Sequence, residues 1–216
     1  MNYKFIFLSV FSLSIIFFSS CKNDTTKKED KKEVSKKEIK AETKSNELDE
    51  GYAADYIAKS ISIAKASGKT LKGKLTAAVE KGGLQNGINT CNKIAQKLMD
   101  SLSNKYNVQI KRTTLKLRNP DDKPEQDEID VLITYDKQIK SGKIAKPSAK
   151  KLNNGNVRVY IPIMVDKVCL NCHGKIGEDI KASNYSLIKK HYPNDEAIDY
   201  SDGDLRGIWS ITYKGK

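Results

Sequence analysis

A Cys-x-x-Cys-His motif lies late in the chain, at Cys169, Cys172 and His173, and it constrains the fold more than any other segment. Two thiols separated by two residues can bond to the two vinyl groups of a haem, and the next histidine then lies under the iron as its axial ligand. Residue frequencies alone would produce such a match in on the order of one in a thousand chains of this composition. The motif therefore predicts one covalently bound c-type haem, with Cys169 and Cys172 as attachment points and His173 as the proximal iron ligand.

Two other chemistries use the same cysteine spacing. A redox dithiol of the thioredoxin type requires the two cysteines to open a helix within a β-α-β unit. A zinc site requires further ligands, and Cys91 and His191 are the strong candidates that remain in the sequence. Both alternatives stay open at the level of the motif alone.

The N-terminal segment indicates export. An apolar run over Phe5–Phe18 follows a short basic start and precedes Ser19, Ser20 and Cys21. This pattern resembles a bacterial lipoprotein signal peptide over residues 1–20, and the run is too short for an ordinary transmembrane helix. We expect Cys21 to be lipidated and to anchor the protein in the bacterial cell envelope, on the periplasmic side or at the outer membrane. The alternative is an ordinary cleaved signal peptide in which Cys21 is incidental.

Composition divides the remainder into a tether and a folded part. Residues 21–50 hold hardly any large apolar side chain, so they cannot bury a core and are predicted to form a disordered, charged tether. Residues 51–216 hold 29 basic and 18 acidic residues, and their length suits one domain. The positive surplus suits a solvated lysine-rich surface or an acidic redox or signalling partner. An exported haem protein is not expected to bind nucleic acid.

The hydrophobic pattern predicts an α+β domain with an antiparallel sheet and helices on one side of it. Three helices are expected within residues 51–105, with a break at Gly82 and Gly83, and a fourth is expected from Pro124. The predicted strands cover residues 107–117, 143–151, 157–165 and 205–213, and the second and third of these form a hairpin.

The other face of the iron has several candidate ligands. Only 43 residues follow His173 and none is methionine, which disfavours an ordinary cytochrome c with a downstream methionine ligand. The residues that remain are Cys91, His191, Met99, Met164 or a lysine, and an iron without a sixth ligand is a further alternative. Cys91 is of interest because an unpaired cysteine is unusual in an exported protein.

Residues 52–215 resemble a known family of small exported c-type haem-binding domains with a PAS-like fold, found as free proteins and as sensing portions of membrane kinases and chemoreceptors. The similarity is strongest in the helix with Cys91 and Asn92, in the run from Arg112 to Glu128, in the strand Tyr160–Ile163, in the motif with Gly174, and in the segment 203–210. The resemblance implies a PAS-like fold, a standalone lipoprotein member, and a haem ligated by a histidine and a cysteine. Carried to this chain, those ligands are His173 and Cys91.

These features favour a binding function over catalysis. A thiolate ligand favours the ferric state, and two axial ligands leave no open site for a substrate. We expect a redox or gas sensor in which Cys91 is displaced, and the alternative is a lipid-tethered, low-potential electron carrier. A haem enzyme would need an open iron and an acid-base group that the sequence does not identify. Arg112 and Arg118 are candidates for contacts with the haem propionates, or are charges on the surface of a strand.

Overall fold

The computed structural model describes residues 48–215, which lie within one compact unit. The predicted signal peptide, Cys21 and nearly all of the predicted tether lie outside the described residues. Within the described range, no helix combines the length and the apolar character that crossing a membrane requires.

The described chain forms a four-stranded antiparallel sheet with helices, so the predicted α+β class is confirmed, and the architecture is consistent with a PAS-like fold. The strand order in the sheet is β1-β4-β3-β2. In chain order, the elements are α1 (Glu50–Tyr106), β1 (Gln109–Thr113), a short 3-10 turn (Pro120–Asp122), α2 (Gln126–Lys140), β2 (Ser148–Lys151), β3 (Val157–Met164), α3 (Leu170–His173), α4 (Ala182–His191) and β4 (Leu205–Tyr213).

Helix α1 consists of two arms, residues 50–81 and 84–106, which are joined at a break. Gly82 and Gly83 leave the helical conformation there, and Gly83 has φ = 71°, which favours glycine. The arms pack against each other, since the Asn86 side-chain amide donates to the carbonyl of Ala78 at 2.7 Å. The predicted break is therefore confirmed. The first two predicted helices are one continuous arm.

Both faces of the sheet are covered by helices, and the expectation of helices on one side is wrong. The arms of α1 pack on one face, where Ile63 and Met99 share a cluster with Trp209. Helix α2 packs on the opposite face, where Leu132 shares a cluster with Ile208. The reason is that β4 is buried continuously from Gly207 to Thr212, so alternate residues of the same strand must be covered on opposite sides.

Several element ends differ from the predicted ones. Strand β1 ends at Thr113, four residues earlier than predicted. Gly207 of the neighbouring strand lies so close to the Thr113 carbonyl that a Cβ on Gly207 would collide with it. Helix α2 begins after Glu125, whose side chain forms a reciprocal capping box with Glu128. Strand β2 begins at Ser148, five residues later than predicted. Strand β4 covers the predicted residues 205–213.

Candidate functional site

The motif lies on α3, and the Asp166 side chain holds the turn that leads into this helix. The Asp166 carboxylate accepts hydrogen bonds from the backbone N–H groups of Val168 and Cys169, at 3.1 and 3.2 Å. The Cys169 thiol also donates to this carboxylate, at 3.1 Å. Cys169 and Cys172 are both half-buried and are not joined in a disulfide. The two thiols are thus held as free side chains on one turn, which is the arrangement that two thioether bonds require.

His173 is oriented by a backbone carbonyl from a distant loop. Its Nδ1 lies 2.7 Å from the Ala197 oxygen, and since a carbonyl oxygen only accepts, Nδ1 carries the proton. Nε2 therefore holds the free lone pair, which is the state of a metal-ligating histidine whose other nitrogen is fixed by a second group. Burial lowers the pKa of His173 well below its ordinary value, and the charges of Arg206 and Arg118 lower it further. The imidazole is neutral, as a ligand must be.

Arg118 joins the motif to the loop that orients His173. Its guanidinium donates to both carboxylate oxygens of Asp195, at 3.0 and 3.1 Å. One of its terminal nitrogens also donates to the carbonyls of Cys172 and Ala197, at 2.7 and 3.1 Å. Asp195 also accepts from the backbone N–H of Ala197 at 3.0 Å. Arg118 therefore links the backbone of the motif at Cys172 to the backbone of the loop at Ala197.

Cys91 lies on the second arm of α1, in the neighbourhood of the motif. Burial raises the pKa of the Cys172 thiol, and the nearby Cys91 raises it further. Burial also raises the pKa of Tyr192, the residue that follows α4, and Cys91 contributes to that shift as well. The structure thus brings Cys91 into the electrostatic range of Cys172, although 81 positions separate them in the sequence.

Helix α4, which the sequence did not predict, ties down the arm that carries Cys91. His191, at the end of α4, donates from Nε2 to the side-chain oxygen of Asn89 at 2.6 Å. The Asn92 side chain hydrogen-bonds to the Tyr192 hydroxyl, one residue further along. Cys91 lies between the two asparagines in the sequence, so the part of the arm that carries Cys91 contacts the end of α4.

The other predicted distal candidates have different surroundings. Met99 is buried in the apolar cluster between α1 and the sheet. Met164 is exposed at the end of β3. His191 uses its Nε2 for the bond to Asn89. Within residues 48–215, no group of three or more His, Cys, Asp or Glu side chains is arranged to hold a metal ion, so the ligand set of the zinc alternative is not assembled there.

The charges of three arginines act on His173, and one of the three was not identified from the sequence. Arg112, Arg118 and Arg206 all lower the pKa of the His173 imidazole, and Arg206 has the largest effect after burial. The Arg206 guanidinium lies 5.4 Å from the ring centroid of Tyr200. The Tyr200 ring is itself perpendicular to the His173 ring, at a centroid distance of 6.2 Å. Arginine is scarce in this lysine-rich chain, and this scarcity is the sequence signal that could have identified Arg206.

Arg112 lies on β1, with its guanidinium 5.9 Å from the ring centroid of Trp209. Its Nε is buried and has no hydrogen-bond partner among the described residues. A cavity of about 460 Å³ between β1 and the second arm of α1 is lined in part by Arg112 and Asp122. Burial raises the pKa of Asp122 even though Arg112 and Arg206 oppose that shift.

The fold and the site together define a class: an α+β domain in which a Cys-x-x-Cys-His turn carries an oriented, neutral histidine beside an arginine cluster. The sequence profile of the Tll0287-like family (Tll0287) matches residues 25–213, and the chain belongs to this family. The crystal structure of the cyanobacterial haem-protein Tll0287 is similar in fold, with a TM-score of 0.53. The two sequences are 20% identical, and the match covers 73% of this chain and 98% of that chain. No curated protein matches the sequence.

Proposed function

We propose that this protein is a lipid-anchored c-type haem protein of the bacterial cell envelope, and that it acts in redox or gas sensing. Family membership and the similarity in fold to a haem protein support haem binding. The observation that carries the proposal is the hydrogen bond from His173 Nδ1 to the Ala197 carbonyl, which leaves Nε2 free within one turn of two unpaired thiols.

The donor groups of the site fit a covalently bound haem. Cys169 and Cys172 would hold the two former vinyl groups, and His173 would be the proximal ligand. Arg112 offers a buried Nε without a partner among residues 48–215, which suits a carboxylate. When bound, the haem supplies a one-electron couple and an iron that binds small diatomic gases once an axial position is open.

Cys91 is the distal ligand in this proposal. It belongs to an arm of α1, whereas His173 is held by Arg118 and the loop at Ala197, so the two ligands are on separate parts of the fold. A signal that removes Cys91 from the iron would therefore release the arm without releasing His173. Because the arm is tied to α4 through Asn89 and His191, the change would extend to that helix. We expect a partner protein to detect it and no catalytic turnover.

An envelope electron carrier is the second candidate, and the surface around the motif favours it. Val168 and Ile176 flank the motif and are exposed, as is Met164 at the end of β3. Exposed apolar side chains close to the motif in sequence, on a domain with a large positive surplus, suit transient docking to an acidic partner. Electron exchange with such a partner would slow as the salt concentration rises.

Covalent attachment is the first test. The chain is produced in an exporting host with a c-type haem maturation system, and bound haem is assayed on a denaturing gel. We expect the wild type to retain haem and the Cys169→Ser, Cys172→Ser double variant to lose it, while the matched control Cys91→Ser keeps it. A wild type without covalent haem, or a double variant that retains it, would contradict the proposal.

Gas binding then separates the two candidate functions. For a sensor, carbon monoxide or nitric oxide should displace a ligand from the reduced protein, with a shift of the absorption spectrum. A carrier should show no displacement, together with fast electron exchange that depends on salt. If neither gas changes the spectrum, the gas-sensing branch is wrong.

A further inference from the structure

The arginines of this chain are concentrated at one place. The sequence holds four arginines and 35 lysines, so arginine is a rare choice for a positive charge. Arg158 is paired with acidic residues of the α2 N-terminus, Glu125 and Asp127. Arg118 donates to the carbonyl of Cys172, beside His173, and Arg206 lies against the Tyr200 ring that faces the His173 ring. Arg112 lies on β1 with a buried Nε that has no partner among residues 48–215. Arginine differs from lysine in presenting a planar fork of donors that matches a carboxylate, so this distribution points to carboxylate recognition next to His173.

A break in the sheet register sets the position of Arg206. Ile163 of β3 pairs with Gly207, whereas the next residue, Met164, pairs with Leu205. Arg206 is therefore the extra residue of a β-bulge. Bulges redirect a side chain out of the regular alternation and are frequent next to functional sites. Gly207 keeps the bulge close to β1, because a Cβ there would collide with the neighbouring strand.

Within the part of the chain that the structure describes, two arginines of the cluster have no ion-pair partner. Asp195 is bonded to Arg118, whose donors also hold two backbone carbonyls. Neither Arg112 nor Arg206 forms an ion pair within residues 48–215, although Asp122 is near enough for both arginines to lower its pKa. The Arg206 guanidinium lies over the Tyr200 ring, and the Lys116 ammonium lies 4.5 Å from the centroid of the same ring. An external anion would offset this surplus of positive charge.

From this placement we propose that Arg206 and Arg112 form the binding site for the carboxylate groups of the porphyrin, and that Arg118 instead positions the motif. The inference rests on the proposed function, since it requires a haem at the motif. Arg206 binds one carboxylate through its fork while its other face rests on Tyr200. Its charge also opposes the extra positive charge of the oxidised iron, so Arg206 raises the reduction potential.

The test compares Arg206→Met, Arg206→Lys and the control Lys150→Met in the haem-loaded protein. Lys150 is exposed on β2, at the opposite edge of the sheet from β1, so its replacement removes a charge far from the cluster. The readouts are the porphyrin-propionate bands in resonance Raman spectra and the reduction potential. We expect Arg206→Met to shift the bands and to lower the equilibrium constant for reduction about tenfold, or ~59 mV for one electron.

The lysine variant separates charge from geometry. Arg206→Lys should shift the propionate bands because the fork is lost, while its potential stays close to that of the wild type. If folded Arg206→Met retains no haem while Arg206→Lys does, the charge is required for binding and the inference is supported. Bands and a potential in Arg206→Met that equal those of Lys150→Met would overturn it. A wild type without covalent haem would instead contradict the proposed function, so the two failures are distinguishable.

Discussion

Arg118 is the residue whose loss is expected to damage the site most. The Arg118 side chain is 15% exposed and that of Asp195 is 0% exposed, so water screens their ion pair only weakly. In Arg118→Met, the aspartate keeps its bond to the Ala197 N–H but loses both guanidinium bonds. Removing one partner of a buried ion pair costs about 3–5 kcal/mol. For a domain of this size, the melting temperature should fall by about 6–20 °C.

Urea unfolding of the haem-loaded protein, followed by circular dichroism, measures this change. A double-mutant cycle with Asp195→Asn isolates the interaction energy of the pair. In the Arg118→Met background the Asp195 carboxylate has no positive partner, so Asp195→Asn should change the free energy of unfolding little. The same variants should loosen His173, since Arg118 shares the Ala197 carbonyl with it. A loss below about 1 kcal/mol for Arg118→Met would show that the pair with Asp195 behaves as an exposed ion pair, contrary to this expectation.

Three further changes have defined outcomes. Gly207→Ala should lower the free energy of unfolding by about 1–3 kcal/mol, because the new methyl group meets the Thr113 carbonyl, and an unchanged urea midpoint would contradict this. Asn89→Ala removes the bond to His191, so it should cost about 1 kcal/mol and speed carbon monoxide binding to the reduced protein; a wild-type rate would argue against the tie between α1 and α4. Burial raises the pKa of Asp122, so the unfolded chain releases this proton at lower pH than the folded one, and stability falls as pH rises between the two values. Asp122→Asn should therefore flatten urea midpoints measured across the mildly acidic range, and an unaltered pH profile would disprove this assignment.

The parts of the fold that were predictable are those with strong local signals. The break at Gly82 and Gly83 follows from backbone freedom, and the last strand was bounded correctly because residues 205–213 are rich in aliphatic, aromatic and β-branched side chains. The prediction of helices on one side of the sheet was wrong, because the continuous burial of β4 is a property of the packed structure. Helix α4 was missed because only Asn184 and Ile188 are buried in it, so its apolar periodicity is weak and contacts with α1 define it.

The same distinction holds for the candidate site, where residues close together in the sequence were predictable and contacts between distant segments were not. Cys169, Cys172 and His173 are adjacent in the sequence, so their spacing was enough to suggest their chemistry. The group that orients His173 is a backbone carbonyl, at Ala197, and a carbonyl leaves no trace in residue identity. Arg206 reaches the site through a register shift that depends on strand pairing. Tertiary structure alone could place these partners.

Ligation of the haem iron by His173 and Cys91 is tested by the absorption and electron paramagnetic resonance spectra of oxidised Cys91→Ala, compared with those of the wild type. Met99→Leu is the matched control, since it replaces another distal candidate with a side chain of similar volume. We expect a low-spin, thiolate-type spectrum in the wild type and the control, and its loss in Cys91→Ala with haem still bound through Cys169 and Cys172. An identical spectrum in Cys91→Ala and the wild type would contradict His173 and Cys91 as the two iron ligands.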